Sequence, residues 1–352
     1  MFIDLGVTVV FNSVSCGCKE GTMKFPAVQL AAPAQDAINP QLTLSLAEAS
    51  LAAYYDYQKQ PFKNPTNYQA VARWTGWDEI VDGFGYEERF GLLFRSTLPG
   101  SQTYIFAFRG TDTDLDVYED LFADTVSFSP YRGHVSPTPS VASGFYSVYN
   151  DIGGTMTQSM RQQVFTLLNS IPSPKKIYIT GHSLGAALSQ LFTLDVAVST
   201  PDAWAANINF ASPMVGLTNW RTAYDSQRAQ GDPARKTVRV YNYWDYVPSL
   251  PPDIPPFLEY VHVGRGFRTS FYVLNGWYPH ELARHALLNL QVVLQHAVWL
   301  NPQVWTGTFP DSTYPPRLMV STVPPAGADV RWSRKIQEIV SYEQAILEGG
   351  NI

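Results

Sequence analysis

Apolar residues recur at helical spacing just after Asn39-Pro40. Leu42, Leu46, Ala49, Ala53 and Tyr57 fall on one face, and the Asn-Pro pair is a helix-start signal. Beyond them the pattern changes to short apolar runs. Leu92–Phe94 and Thr103–Phe108 read as strands, with Leu98-Pro99-Gly100 as the turn between them. Met160, Val164, Leu167 and Leu168 return to helical spacing. Lys176–Thr180 reads as a strand, followed by Gly181 and a helical pattern from Ala186 to Val198. Asn207–Phe210 and Thr237–Tyr243 are further strands. This alternation predicts an α/β fold with a mainly parallel central sheet and helices on both faces.

The most apolar stretch, 286–300, is broken by Asn289, Gln291, Gln295 and His296. No uninterrupted apolar run reaches the roughly 18 residues a membrane span needs. Pro-rich stretches at 130–139 and 248–256 read as loops within the domain. A third, 310–325, reads as a tether to a C-terminal helix at Trp332–Leu347. The expected organisation is a leader or vector-derived segment at 1–22, one catalytic-sized domain at 23–309, and the tether with its helix at 310–352.

Composition narrows the partners. Hydrophobic residues make up 45% of the chain and charged residues 15%, enough to bury a large core. The net charge is −6 and no Lys/Arg run occurs, which excludes nucleic acid as a partner and disfavours steering to anionic lipid. A neutral lipid surface stays open. Cys16 and Cys18 are one residue apart and poorly placed to bridge each other, so the fold is expected to need no disulfide. The apolar run Leu5–Phe11 is short, follows Asp4 and lacks a basic flank. It makes no convincing signal peptide, which leaves secreted and cytoplasmic locations both open.

The chemistry centres on Gly181-His182-Ser183-Leu184-Gly185. A G-x-S-x-G pentapeptide alone arises by chance. Here a strand precedes it and a helix follows, the context of a nucleophile elbow. On such a turn the Ser183 hydroxyl projects, small residues at 181 and 185 leave room for close helix–strand approach, and the helix N-terminus favours negative charge. His182 is placed beneath the turn.

With Phe108-Arg109-Gly110-Thr111, Ser143-Gly144-Phe145, Phe210-Ala211-Ser212-Pro213-Met214-Val215-Gly216 and Asp245-Tyr246-Val247-Pro248-Ser249-Leu250-Pro251-Pro252 in the same order, the chain resembles the class 3 (fungal-type) lipase family of α/β-hydrolases from about residue 40 to about 300. The resemblance implies hydrolysis of carboxylic esters, most simply of acylglycerol lipids, by a Ser-His-Asp triad without metal or organic cofactor. It implies Asp245 as the acid, on the loop after Thr237–Tyr243. For the base, both His280-Glu281-Leu282 and His285-Ala286-Leu287 fit the family's histidine. His285 is preferred because it runs directly into the apolar helix. His262 resembles part of a structural strand, His296 lies in mid-helix, and His134 precedes the serine.

The oxyanion hole is expected from the N–H of Leu184 and from Thr111, with Arg109 as a structural ion-pair residue. In residues 112–124, Leu115, Tyr118, Leu121 and Phe122 share one helical face and Asp116, Glu119 and Asp120 the other. By position this is the family's lid, and Asp124 the acid that steadies the oxyanion threonine. The same stretch is no calcium loop, since Val117 and Ala123 stand where glycine and glutamate are needed. A phospholipase A1, a feruloyl esterase, an acyltransferase and a non-catalytic lipid-binding protein on the same scaffold are the alternatives. The expected partner is an ester or lipid, with a lipid–water interface as one setting.

Overall fold

The computed structural model describes residues 35–78, 85–111, 124–227, 232–243, 245–251, 258–273, 284–309 and 318–319. The expected leader, the lid residues Leu115, Tyr118, Leu121 and Phe122, the alternative base His280 and the C-terminal helix lie outside the described residues.

The chain enters through helix α1, Pro40–Tyr57. Asn39 caps it by accepting from the Leu42 N–H at 2.8 Å, and Pro40 supplies a preset first turn. Strands β1 (Tyr68–Asp78), β2 (Tyr86–Ser96) and β3 (Thr103–Phe108) follow, then short strands β4 (Thr125–Ser127) and β5 (Ser140–Ala142). Helices α2 (Ser143–Asn150) and α3 (Met160–Ser170) lead into β6 (Lys176–Gly181) and helix α4 (Leu184–Ser199). Then come β7 (Trp204–Phe210), β8 (Gly216–Leu217), α5 (Thr218–Ser226), the short α6 (Pro233–Lys236) and β9 (Thr237–Asn242). Last are β10 (Tyr260–Val261), β11 (Arg265–Thr269), β12 (Tyr272–Val273), α7 (Leu287–Leu300) and β13 (Leu318–Met319).

The main sheet has the order β1-β2-β3-β6-β7-β9-β11. From β3 to β11 every neighbour pair is parallel, while β1–β2 and β2–β3 are antiparallel. The fold is therefore α/β with a mixed, mostly parallel sheet, as the alternation of elements predicts. The long β1–β2 hairpin is the part that the apolar runs understate. Leu92–Phe94 is only the buried centre of an eleven-residue strand, and β1 reads weakly because its burial alternates and two register shifts interrupt its pairing. Leu318–Met319, within the stretch expected as a tether, pair antiparallel with Tyr272–Val273.

Side chains of each strand divide between two cores, as the period of two requires. On β3, Tyr104, Phe106 and Phe108 pack with Phe165, Leu188, Leu191 and Phe192 from α3 and α4. Ile105 and Ala107 face the opposite layer, where Leu46 and Ala49 of α1 meet Leu290, Val293 and Leu294 of α7. Among the described residues no helix is long and apolar enough to cross a membrane. α7 instead spends its apolar face on the sheet and on α1.

One buried carboxylate ties a loop to this frame. Asp195 of α4 accepts from the Tyr131 N–H at 2.6 Å and from the hydroxyls of Ser199 and Tyr149, each at 3.0 Å. Burial, the largest influence, pushes its carboxyl up to about 6 despite these donors and the nearby Arg161 charge. A folded value above the ordinary 3.8 means that its contribution to stability is complete below 3.8 and is lost as pH rises through about 6. Thermal unfolding across that window should show the wild-type midpoint falling with pH. Asp195→Asn, which keeps the shape and cannot ionise, should flatten that fall.

Candidate active site

Three parallel strands deliver the site at their carboxyl ends, where open α/β sheets place their crevices. β6 ends at Gly181 and passes through His182 into Ser183, which is directly followed by α4. Ser183 has φ 60° and ψ −128°, a strained conformation for a residue with a side chain. Its N–H donates to the Phe210 carbonyl at 3.0 Å, and its carbonyl accepts from Ala186 N–H at 2.9 Å. A Cβ on Gly185 would sit 2.5 Å from the Phe108 and Arg109 carbonyls, so α4 reaches β3 only because residue 185 is glycine. A Cβ on Gly181 would run into the Gly185 backbone.

Asp245 follows β9, and its Oδ1 accepts from the Val247 N–H at 3.1 Å. His285 stands just ahead of α7. Its Nδ1 lies 2.8 Å from Asp245 Oδ2 and its Nε2 lies 2.7 Å from Ser183 Oγ. Nδ1 donates to the carboxylate, so Nε2 is left to accept from the serine hydroxyl. The three residues named from the sequence thus form one continuous chain of hydrogen bonds. Ser183 is 1% exposed and Asp245 5%, so water competes little for either.

The loop after β3 lies against the serine. A Cβ on Gly110 would be 3.0 Å from Ser183 Cβ and 2.6 Å from the His182 carbonyl. Arg109 holds this loop. It is buried, donates from Nε to the Arg89 carbonyl at 2.8 Å and from Nη1 to the Gly110 carbonyl at 2.7 Å, and pairs with Glu88. Its guanidinium is sandwiched between the rings of Tyr57 and Phe90, 3.9 and 4.1 Å from their centroids. Thr111 is half-buried at the end of this pinned turn. Leu184 opens α4, where the first amides have no partner within the helix.

Asp124 does not join this group. Its carboxylate is exposed and accepts from the adjacent Thr125 N–H at 2.7 Å, and among the described residues it makes no hydrogen bond to Thr111. The local amide takes up the acid that the sequence pattern assigns to the oxyanion threonine. His296 packs between Trp299 and Phe309, away from the triad-like set. His262 is buried and donates from Nε2 to the Pro248 carbonyl at 2.8 Å, on the loop that follows Asp245. Burial, then the charge of Arg239, holds its imidazole well below the usual range.

Sequence reading misses two partners beneath the site. His182 Nδ1 accepts from the Tyr54 hydroxyl at 2.9 Å, and Nε2 donates to the His285 carbonyl at 2.8 Å. Burial and then the neighbouring His285 hold the His182 imidazole well below its usual range, which keeps it neutral in this role. Asn242, the last residue of β9, donates to the carbonyls of Phe271 at 3.0 Å and Arg284 at 3.2 Å and accepts from the Phe271 N–H at 3.0 Å. Tyr54 continues the buried face of α1, and only its terminal hydroxyl hints at a polar partner. Among the described residues, no cluster of three or more His, Cys, Asp or Glu side chains is arranged to hold a metal ion.

Residues 105–254 match the family described as lipase (class 3). That stretch holds Ser183 and Asp245 and leaves His285 and Tyr54 outside it. The chain is 30% identical over 159 residues to the chloroplastic phospholipase A(1) DAD1 of Arabidopsis thaliana, covering 43% of this chain and 34% of that protein. It is 32% identical over 174 residues to phospholipase A1-II 3 of Oryza sativa subsp. indica, covering 44% of this chain and 40% of that protein. The chain thus spans well under half the length of either relative. Among solved structures it resembles nonglycosylated LIP2 lipase of Yarrowia lipolytica, with a TM-score of 0.51 at 20% identity over 65% of this chain and 79% of that one. A second structure of Lip2 lipase from Yarrowia lipolytica gives 0.50 at 18% identity over 71% and 88%. At these identities the likeness is one of fold.

The strain at Ser183 has a measurable signature. Ser183→Ala keeps a Cβ at φ 60°, whereas Ser183→Gly removes it. An unfavourable backbone region costs of order 1–3 kcal/mol, more than the penalty of roughly 0.5–1 kcal/mol for glycine's unfolded freedom. Ser183→Gly should therefore unfold at a higher denaturant concentration than Ser183→Ala, with an unchanged slope.

Proposed function

We propose that this chain, whose residues 105–254 match the class 3 lipase family, hydrolyses carboxylic esters of glycerolipids with Ser183 as nucleophile, His285 as base and Asp245 as the acid that orients it. The observation that carries the reading is the pair of hydrogen bonds at 2.7 and 2.8 Å linking Ser183 to His285 and His285 to Asp245.

In this reading Ser183 Oγ adds to the ester carbonyl while its proton passes to His285 Nε2. The Asp245 carboxylate stabilises the imidazolium that forms. Negative charge on the former carbonyl oxygen is met by the N–H of Leu184 and by Thr111, the residue after the Arg109–Gly110 turn. Collapse breaks the C–O bond, and His285 returns the proton to the departing alcohol. Water, deprotonated by His285, then attacks the acyl-enzyme, releasing the carboxylic acid and restoring Ser183. The route needs no metal or organic cofactor, because proton transfer and oxyanion binding are both supplied by side chains and amides.

Two substrate classes fit this chemistry. Triacylglycerol is the simpler, since hydrolysis of its carboxyl ester asks nothing of the site beyond the nucleophile, the base with its acid, and the oxyanion donors. The 30% and 32% identities to proteins named phospholipase A1 favour a phospholipid carboxyl ester as the second reading. The lid over residues 112–124 remains part of the proposal.

Ser183→Ala and His285→Ala should each fold and lose ester hydrolysis, because triad members act as a unit. Thr111→Val keeps the backbone donor and removes the hydroxyl, so kcat should fall by up to ~10²–10³ with KM little changed. Retention of most activity in folded Ser183→Ala would end the serine-hydrolase reading. Titration of acid released from trioctanoylglycerol and from dioctanoylphosphatidylcholine, presented in the same neutral detergent micelles, separates the substrate classes. The expected result is release from both with the triacylglycerol faster. Release from the phospholipid alone, with 2-acyl lysophospholipid as product, would assign the chain as a phospholipase A1.

A further inference from the structure

Ser183 and Asp245 come directly off strands β6 and β9, but His285 does not. It stands on the connection into α7, two residues before that helix begins. The imidazole must nevertheless meet both partners at hydrogen-bond distance. What fixes its backbone is visible on both sides of the residue. The His285 carbonyl accepts from His182 Nε2 at 2.8 Å, and the preceding carbonyl, of Arg284, accepts from Asn242 Nδ2 at 3.2 Å.

The two anchors are placed by the same strands that deliver the other members of the set. His182 is the residue before Ser183. Asn242 lies three residues before Asp245 and ends β9. The separation between His285 and each partner is thus set through a side chain on that partner's own strand. Both anchors are themselves fixed. Tyr54 donates to His182 Nδ1 at 2.9 Å, which reserves the ring proton for Nε2 and so for the His285 carbonyl. Asn242 is held by two further bonds to the Phe271 backbone, each at 3.0 Å. The His182 and His285 rings lie 4.5 Å apart between centroids, so the upper ring also rests on the lower one.

We propose that His182 and Asn242 form a two-point backbone clamp that positions His285 between Ser183 and Asp245. The clamp rests on the ester-hydrolase reading for its effect on turnover. It makes both side chains positioning residues: neither touches the substrate or the reacting atoms. Its consequence is kinetic, because a misplacement of about 1 Å at a reacting group costs on the order of 10²-fold in rate.

The test uses the full chain with His182→Phe and Asn242→Leu, which keep bulk and remove the donors. On a soluble short-chain ester, each should lower kcat by ~10–10²-fold while KM stays within about twofold. The rate of Ser183 phosphonylation by a fluorophosphonate should fall in parallel. Because both bonds hold one segment, the double variant should lose less than the product of the single losses. His182→Gln, whose amide N–H can reach the same carbonyl, should recover part of the loss that His182→Phe shows. A folded His182→Phe with wild-type kcat, or fully multiplicative losses, would overturn the clamp. Should His182→Phe fail to fold, Tyr54→Phe removes only the hydroxyl that reserves the ring proton. It should lower kcat several-fold, and an unchanged kcat counts against the proposal. The low-field proton NMR signal of His285 Nδ1–H, bonded to Asp245, gives a readout free of activity. Its presence in wild type and loss in His182→Phe supports the clamp even if the wild type hydrolyses no ester, an outcome that would fail the ester reading alone. Its persistence in His182→Phe fails the clamp.

Discussion

Everything at the site depends on how closely one helix approaches one strand. α4 begins immediately after Ser183, and its first turn lies on the carbonyls at the end of β3. Only glycine at 185 permits that approach. Once it is made, the chain between Gly181 and Gly185 has too little length to relax, and Ser183 takes a positive φ. The strain is local, but what it aligns is not. The serine hydroxyl, the first amide of α4 and the loop after β3 all converge on one small volume. The stretch that matches the lipase (class 3) family, residues 105–254, runs across this junction.

Polar groups beneath the junction are as ordered as those above it. Thr180 bonds to Ser50 at 3.1 Å across the interface between β6 and α1. Asn207 donates to Ser189 and Thr193 of α4 at 3.1 and 2.8 Å. A buried hydrogen bond contributes only about 0.5–1.5 kcal/mol net, so these contacts matter less as a sum than as constraints on register. Each fixes how a helix sits on the sheet, and each would leave a costly orphan if the layer slid. Arg109 acts in the same way. Its three nitrogen groups and both faces of its guanidinium are engaged, which pins the Arg109–Gly110 turn next to Ser183.

The parts legible in the sequence are those with a local signature. Strand–glycine–helix around Ser183 fits within a dozen residues, and the period of each element appears in its own side chains. Asp245 and His285 become legible through the family resemblance, which implies an acid and then a histidine after the serine. What the sequence hides is non-local. Tyr54 meets His182 from 128 residues away in the chain, and nothing near Tyr54 distinguishes it from the other aromatic residues that end α1. Asn242 reads as the polar end of a strand, yet its side chain bonds to the backbone of Phe271 and of Arg284, 29 and 42 residues later. Asp124 shows the reverse case. Its position matches a family pattern, while its carboxylate bonds to the neighbouring amide. The β1–β2 hairpin is hidden for another reason, since its register shifts break the alternation by which a strand is read.

One layer of the fold has a history as well as a geometry. The face of the sheet bearing Ile105, Ala107, Ile208 and Phe210 is covered by α1 and α7 together, and these helices pack on each other. Of the described helices, α1 is made first and α7 last. A ribosome adds roughly 5–20 residues per second, and domains are completed only when their last element emerges. Until α7 is made, then, this face of the sheet lacks one of its two covering helices and the serine junction lacks its histidine. The same helix that seals that face also brings His285 to Ser183. Among the described elements, covering that face and completing the Ser183–His285–Asp245 set are therefore one and the same step.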